Sequence, residues 1–241
     1  MDYTIIIYIG FGILPSLIWL SYYLRKDLHP EPKKMILKIF LWGALITVPV
    51  FFVQLGLASL LDKININALI KSSLYWFLII AFSEEFFKYL VIRIQVINSP
   101  DLDEPLDIML YMVVAALGFA AVENILYLFS PAGPMSFNQM ISRTLLVDLV
   151  RFIGAIFLHT LCSAVIGYSL AISFCEVKMK KIYLVAGIFM ATLLHGIYDF
   201  SIMTLDGYAK FAVPIVVILI LAFFVFSGFE KLKKMKSICK I

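Results

Sequence analysis

The residues of this chain that could do chemistry sit inside long apolar stretches, where charge is least expected. One stretch carries Ser83-Glu84-Glu85-Phe86-Phe87-Lys88 and a second carries Phe119-Ala120-Ala121-Val122-Glu123-Asn124. A third carries His159, and a fourth carries His195-Gly196-Ile197-Tyr198-Asp199. A charged side chain at mid-bilayer costs about 2.5–3.5 kcal/mol on insertion scales, so each of these needs a partner or a use. Helical spacing supplies some partners. Glu84 and Lys88 are i,i+4 and Glu85 and Lys88 are i,i+3, so the lysine can neutralise one of the two carboxylates. The i,i+4 pair with the acid first is the better geometry, which makes Glu84 the expected ion-pair partner and Glu85 the expected base. His195 and Asp199 share a face at i,i+4, where a carboxylate can orient an imidazole.

Such a set suits hydrolysis. Peptide cleavage needs a base to deprotonate water and an electrophile or donors for the tetrahedral oxyanion. A partly desolvated glutamate fits the base role. Zinc held by imidazoles and a carboxylate would supply the electrophile, and a neutral imidazole or an asparagine amide would serve without metal. Both options stay open from the residues alone. No GxSxG elbow and no HExxH motif supports another hydrolytic scheme.

These side chains need elements to hold them, and the composition names the kind. Of 241 residues 63% are hydrophobic and 15% are charged, with a mean hydropathy of +1.00. A soluble domain uses about 25% charged residues and cannot hide this much apolar surface in one core. The expected fold is therefore an all-α polytopic membrane helix bundle forming one domain over 1–241. At about 20 apolar residues per span, seven stretches qualify, roughly 4–24, 36–60, 73–97, 106–129, 144–174, 182–203 and 211–229. The fifth is longer than a span needs and carries Asp148 and Arg151 in its first turns. Met1-Asp2-Tyr3 turns apolar at once with no basic n-region, so the first helix is expected to stay as an anchor.

Fourteen lysines and arginines fall on one side of this arrangement and four on the other. The positive-inside rule then puts the N-terminus outside and the lysine-rich C-terminus in the cytoplasm of a multi-pass cell-membrane protein. At about 1.5 Å per residue, the intramembrane acids and histidines come out roughly 9–20 Å below the outer surface. Four helices bringing polar groups to similar depth look like one site. The lysines lie in short clusters between spans, so they mark topology and give no nucleic-acid signal. Cys162, Cys175 and Cys239 show neither a disulfide framework nor a thiolate zinc site.

Plainer readings compete. Glu84–Lys88 can be a structural ion pair, His159 an interhelical hydrogen-bonding residue, and Asp148 with Arg151 (i,i+3) a structural or interfacial pair. Gly118, Ala120 and Ala121 read as close-packing residues. The rival function is a proton- or ion-coupled transporter, which would show inverted repeats and Gly/Pro-broken half-helices. Neither is evident, since Pro49 and Pro214 interrupt spans that carry no motif.

Taken in order, Glu84-Glu85-x-x-Lys88, Phe119-x-x-x-Glu123, His159 and His195-x-x-x-Asp199 resemble the PrsW family of intramembrane proteases. The likeness runs over about 75–200 and is especially close at Gly118-Phe119-Ala120-Ala121-Val122-Glu123-Asn124-Ile125-Leu126-Tyr127. The family is related to the CAAX prenyl endopeptidase and bacteriocin-processing superfamily. The resemblance implies cleavage of a membrane-anchored protein on its extracytoplasmic side, such as site-1 cleavage of an anti-sigma factor. Carried over, it makes Glu84, Glu85, Lys88 and Asp199 catalytic, with Glu84 or Glu85 activating water. It makes Glu123, His159 and His195 ligands of a metal, zinc being the candidate, or stabilisers of the oxyanion, with Asp199 supporting His195. The related endopeptidases carry histidine where Glu123 stands, and often asparagine where Asp199 stands.

Overall fold

A computed structural model describes residues 3–27, 29–130, 133 and 135–235 as a bundle of helices, with no strand among the described residues. The helices are α1 (Tyr3–Leu24), α2 (Lys33–Asp62), α3 (Ala68–Ser73), α4 (Ser83–Gln95), α5 (Pro105–Leu128), α6 (Phe137–Ile153), α7 (Ala155–Cys175), α8 (Lys180–Thr204) and α9 (Ala209–Leu232). The tail residues Lys236, Cys239 and Lys240, like Met1 and Asp2, lie outside the described residues.

Among the described residues six helical stretches are long and apolar enough to cross a membrane, which makes this a multi-pass membrane protein. Two of the expected spans take a different form. The stretch expected at 73–97 is a π-wound segment, Leu74–Phe82, running directly into the α-helical Ser83–Gln95. Winding with i→i+5 bonds widens a helix and shifts the face its side chains present, which is why such segments recur beside functional sites. Here the change to α-winding falls immediately before Glu84. The long run expected at 144–174 is divided at Gly154 into α6 and α7. Cys162 is a free buried thiol.

Position in the bundle follows from how apolar a helix is all round. Helix α5 has every residue from Pro105 to Ala121 buried, and α1, α2, α4 and α7 pack around it. Helices α1, α2, α8 and α9 keep large apolar side chains exposed, as lipid-facing helices do. Van der Waals packing holds such a bundle, so small residues mark its closest approaches. A Cβ on Gly118 would collide with Phe40 O of α2, and one on Gly43 would collide with Ala115 O of α5. The two glycines let α2 and α5 meet backbone to backbone.

Overpacking a close contact costs about 1–3 kcal/mol, so Gly118→Val should lower the unfolding temperature of the purified protein by several degrees. Gly56, with nothing within 4 Å of its Cβ position, serves as the control, and Gly56→Ala should be neutral or stabilising. Equal behaviour of the two variants would refute the close-packing role.

Candidate active site

Four helices bring the intramembrane polar residues into one network. Helix α4 supplies Glu84, Glu85 and Lys88, all buried and on one face. From the end of α5 comes Glu123, from α7 His159, and from α8 His195 with Asp199. The two imidazole rings meet edge to face at 5.0 Å between centroids. Phe119 lies beneath them, 5.7 Å from the His159 ring and 4.4 Å from the Lys88 ammonium. That contact gives Phe119 a packing role and adds a cation–π attraction to the lysine.

The ion pairing of Lys88 is the reverse of the one expected from spacing. Its Nζ is 2.8 Å from Glu85 Oε1 and 3.6 Å from Glu84 Oε2. Spacing alone could not decide this, because neighbouring helices do. Glu85 also accepts from Ser163 of α7 at 3.0 Å and faces His195 Nδ1 at 3.1 Å. Glu84 is held through its other oxygen, which accepts from Gln54 of α2 at 3.2 Å. Its Oε2 is buried without a hydrogen bond. An unsatisfied buried carboxylate oxygen is costly and calls for a cation or a donor.

Two imidazole nitrogens face that oxygen, His159 Nδ1 at 3.8 Å and His195 Nε2 at 4.0 Å. One ligand atom each from Glu84, His159 and His195 lies within 4.8 Å of the others, a set that could hold a metal ion. The opposite nitrogen of each ring rests on a carboxylate. His159 Nε2 is 2.8 Å from Glu123 Oε2, and His195 Nδ1 is 3.1 Å from Glu85 Oε1. Each of those carboxylates is in turn held by a fixed cation, Glu85 by Lys88 and Glu123 by Arg151 at 2.8 Å. Cation, carboxylate and imidazole thus repeat twice and converge on Glu84.

The carboxylate that joins the two histidines is therefore Glu84. Glu123 lies on the far side of His159, and Asp199 is 3.2 Å from His195 Nε2, the nitrogen that faces Glu84. The side chains of Glu123 and Asp199 are 22% and 21% exposed, against 6% or less for Glu84, Glu85, Lys88 and the histidines. Those two acids stand at the mouth of the site.

Several members of the network carried no clear sequence signal. Asp148 and Arg151, expected as a local pair, both bond instead to Asn124, at 3.0 and 2.7 Å. Ser163 is four residues after His159 and so shares its face. Gln54 is a lone amide in an apolar span, which is itself the only hint of its role. A separate acidic group, Glu31, Asp103 and Asp107, lies by the α1–α2 and α4–α5 connections. Tyr111 donates to Glu31, whose carboxyl burial pushes above the ordinary carboxylate range.

Comparison with known proteins bears on this geometry. A family described as PrsW family intramembrane metalloprotease matches residues 31–227. The chain belongs to the PrsW family. Protease PrsW of Bacillus subtilis is 30% identical over 232 residues, covering 95% of this chain and 96% of its own. The proteins of the same name from Oceanobacillus iheyensis and Geobacillus kaustophilus are 30% and 31% identical, over 86% and 84% of this chain and 88% and 83% of theirs. No solved structure matches it. The chain is a membrane-embedded protease, and nothing in these relationships favours a transporter.

Glu85→Gln should cost the fold more than Glu84→Gln, because it removes the shorter partner of a fully buried ammonium. Breaking one side of a buried pair costs about 3–5 kcal/mol. Thermal unfolding of the two variants in one detergent checks the order, and a less stable Glu84→Gln would restore the pairing expected from spacing.

Proposed function

We propose that this protease cleaves a membrane-anchored protein on its extracytoplasmic side, with Glu84 as the carboxylate on which hydrolysis turns. The observation that carries this reading is the bare Oε2 of Glu84, buried and facing one nitrogen of each histidine. Glu84, Glu85, Glu123 and Asp199 outnumber Lys88 and Arg151 by two charges while the imidazoles are neutral. A divalent cation makes good that deficit where lipid and protein keep water away. Glu84, His159 and His195 would hold it, with Lys88 giving up its 2.8 Å contact to His159 Nδ1, and it would supply Lewis acidity and a water acidic enough to ionise near neutral pH.

The chain's own groups do the remainder. Glu85 and Glu123 take the outer nitrogens of the two rings and turn the inner ones toward Glu84, as carboxylates behind metal-bound histidines do. Lys88 anchors Glu85, and Gln54 holds one oxygen of Glu84, so that Oε2, 3.6 Å from the Lys88 ammonium, is the oxygen without a hydrogen bond. Asp199, at the mouth beside His195, is placed to hold the proton lost by water and return it to the leaving amine. In this scheme Glu123 moves from ligand to orienting group and Asp199 from orienting group to proton carrier.

The distribution of lysine and arginine supports a topology with the N-terminus outside, the C-terminal tail in the cytoplasm and the site in the outer half of the bundle. The substrate class is a single-span protein cut just outside its membrane segment, and an anti-sigma factor is the candidate that the family resemblance favours.

Co-expression with tagged single-span anti-sigma factors, followed by immunoblot, tests this function. Glu84→Gln should lower cleavage at least about 100-fold, the scale of losing a catalytic carboxylate, while leaving the protein folded. Cleavage at the wild-type rate would remove Glu84 from the chemistry. The topology has its own test in intact cells. An Asn67→Cys variant should react with an impermeant thiol reagent from outside, and an Asp103→Cys variant should not.

A further inference from the structure

Arg151 is eight residues before His159, about 12 Å along a continuous helix axis. Both nevertheless reach the same atom, Glu123 Oε2, each at 2.8 Å. The break at Gly154 lets them converge by turning α6 away from the line of α7. A Cβ at Gly154 would stand 2.5 Å from Tyr198 Oη and 2.9 Å from Val150 O, so the turn depends on the glycine.

Helix α6 carries its polarity inside out. Thr144, Asp148 and Arg151 are buried, whereas Leu145, Leu146, Leu149 and Val150 are exposed. Lipid thus holds one face outward and presses the polar face against the end of α5. The guanidinium is fixed there on three sides. Its NH2 meets Glu123, its Nε donates to Asn124 Oδ1 at 2.7 Å, and its centre lies 3.9 Å from the Tyr127 ring centroid. Asn124 is itself held by Asp148 and by Gly12 O. This is more than neutralising Glu123 requires. A planar guanidinium with two donors engaged sets the position of its partner as well as its charge, which a lysine could not do.

The arrangement of His159 shows what that position is for. Lys88 Nζ, which can only donate, is 2.8 Å from Nδ1, so Nδ1 is the acceptor and the ring proton sits on Nε2. Glu123 is the group that receives that proton. We propose that Arg151 is a positioning residue of the protease: it fixes Glu123 so that Glu123 takes the Nε2–H of His159 and leaves Nδ1, the acceptor nitrogen, facing Lys88 and Glu84. Arg151 acts through two residues and touches no reacting atom. The inference rests on the reading of Glu84, His159 and His195 as the working group, and it assigns that group's second fixed cation.

The test uses the full chain in lipid nanodiscs, with two readouts that do not depend on cleavage. The chain has only three histidines, so nitrogen-15 spectra of histidine-labelled protein can be assigned by single substitutions. Wild type should show His159 as a single Nε2–H tautomer. In Arg151→Met, where Lys88 still donates to Nδ1, the proton should stay on Nε2 and that nitrogen's chemical shift should move as its bond to Glu123 is lost. Affinity for Co²⁺, read from its visible spectrum, should fall by about 10- to 100-fold, the usual effect of losing an outer-shell partner. Arg151→Lys, which restores the charge on Glu123 but not the planar pair of donors, should recover only part of that shift and of the affinity.

A folded Arg151→Met with the wild-type Nε2 chemical shift would overturn the proposal and leave Arg151 a packing residue. If Arg151→Met does not fold, Arg151→Gln, which keeps an amide donor, is judged by the same spectrum. Failure of the wild-type protein to bind Co²⁺ would count against the metal reading alone, because the Nε2 chemical shift still decides the role of Arg151.

Discussion

Everything in this bundle answers to one electrostatic constraint: more carboxylates than fixed cations are gathered where lipid and protein exclude water. Glu84, Glu85, Glu123 and Asp199 face Lys88 and Arg151, and Asp148 one step further out only adds to the excess. An unpaired charge in such a place costs several kcal/mol. The chain therefore spends both cations on the two acids that orient histidines and leaves Glu84 short of a partner. That shortage is concentrated on one oxygen, which is where a hydrolytic site needs it.

The packing serves that arrangement. Helix α5 is buried along most of its length, with Gly43 and Gly118 drawing α2 against it. Close approach of α2 in turn carries Gln54 to Glu84. The same central helix presents Phe119 to the lysine and His159, and carries Glu123 and the buried Asn124 about one turn further on. The π-wound segment before α4 and the break at Gly154 both depart from regular α-helix, and each lies beside the site. One leads into the face that carries Glu84 and Glu85. The other brings Arg151 and His159 to a single carboxylate oxygen.

The helical membrane class and the membership of the network were legible in the sequence, because charges inside apolar spans cannot be mistaken for solvated surface. Glu84, Glu85, Lys88, Glu123, His159, His195 and Asp199 stand together as their types and spacing implied. Their pairing was not legible. Glu84 and Glu85 both lie within reach of Lys88 on one helix face, and the choice is made by Ser163, His195 and Gln54 from three other helices. Arg151 was hidden for a similar reason. Its i,i+3 spacing to Asp148 suggested a local pair, whereas the turn at Gly154 sends it across to α5. Hydropathy also ran through Gly154 without a mark, since one glycine barely changes the average of a long apolar window.

The central claim is that Glu84 and the two histidines form one ion-holding, peptide-cleaving group. Elemental analysis of the purified full-length protein beside Glu84→Gln, with both shown to be folded by thermal unfolding, tests it most directly. A single divalent ion per chain in the wild type, lost or strongly depleted in Glu84→Gln, is the expected result. Undiminished metal in a folded Glu84→Gln, or a metal-free wild-type protein that cleaves its substrate at full rate, would contradict the account.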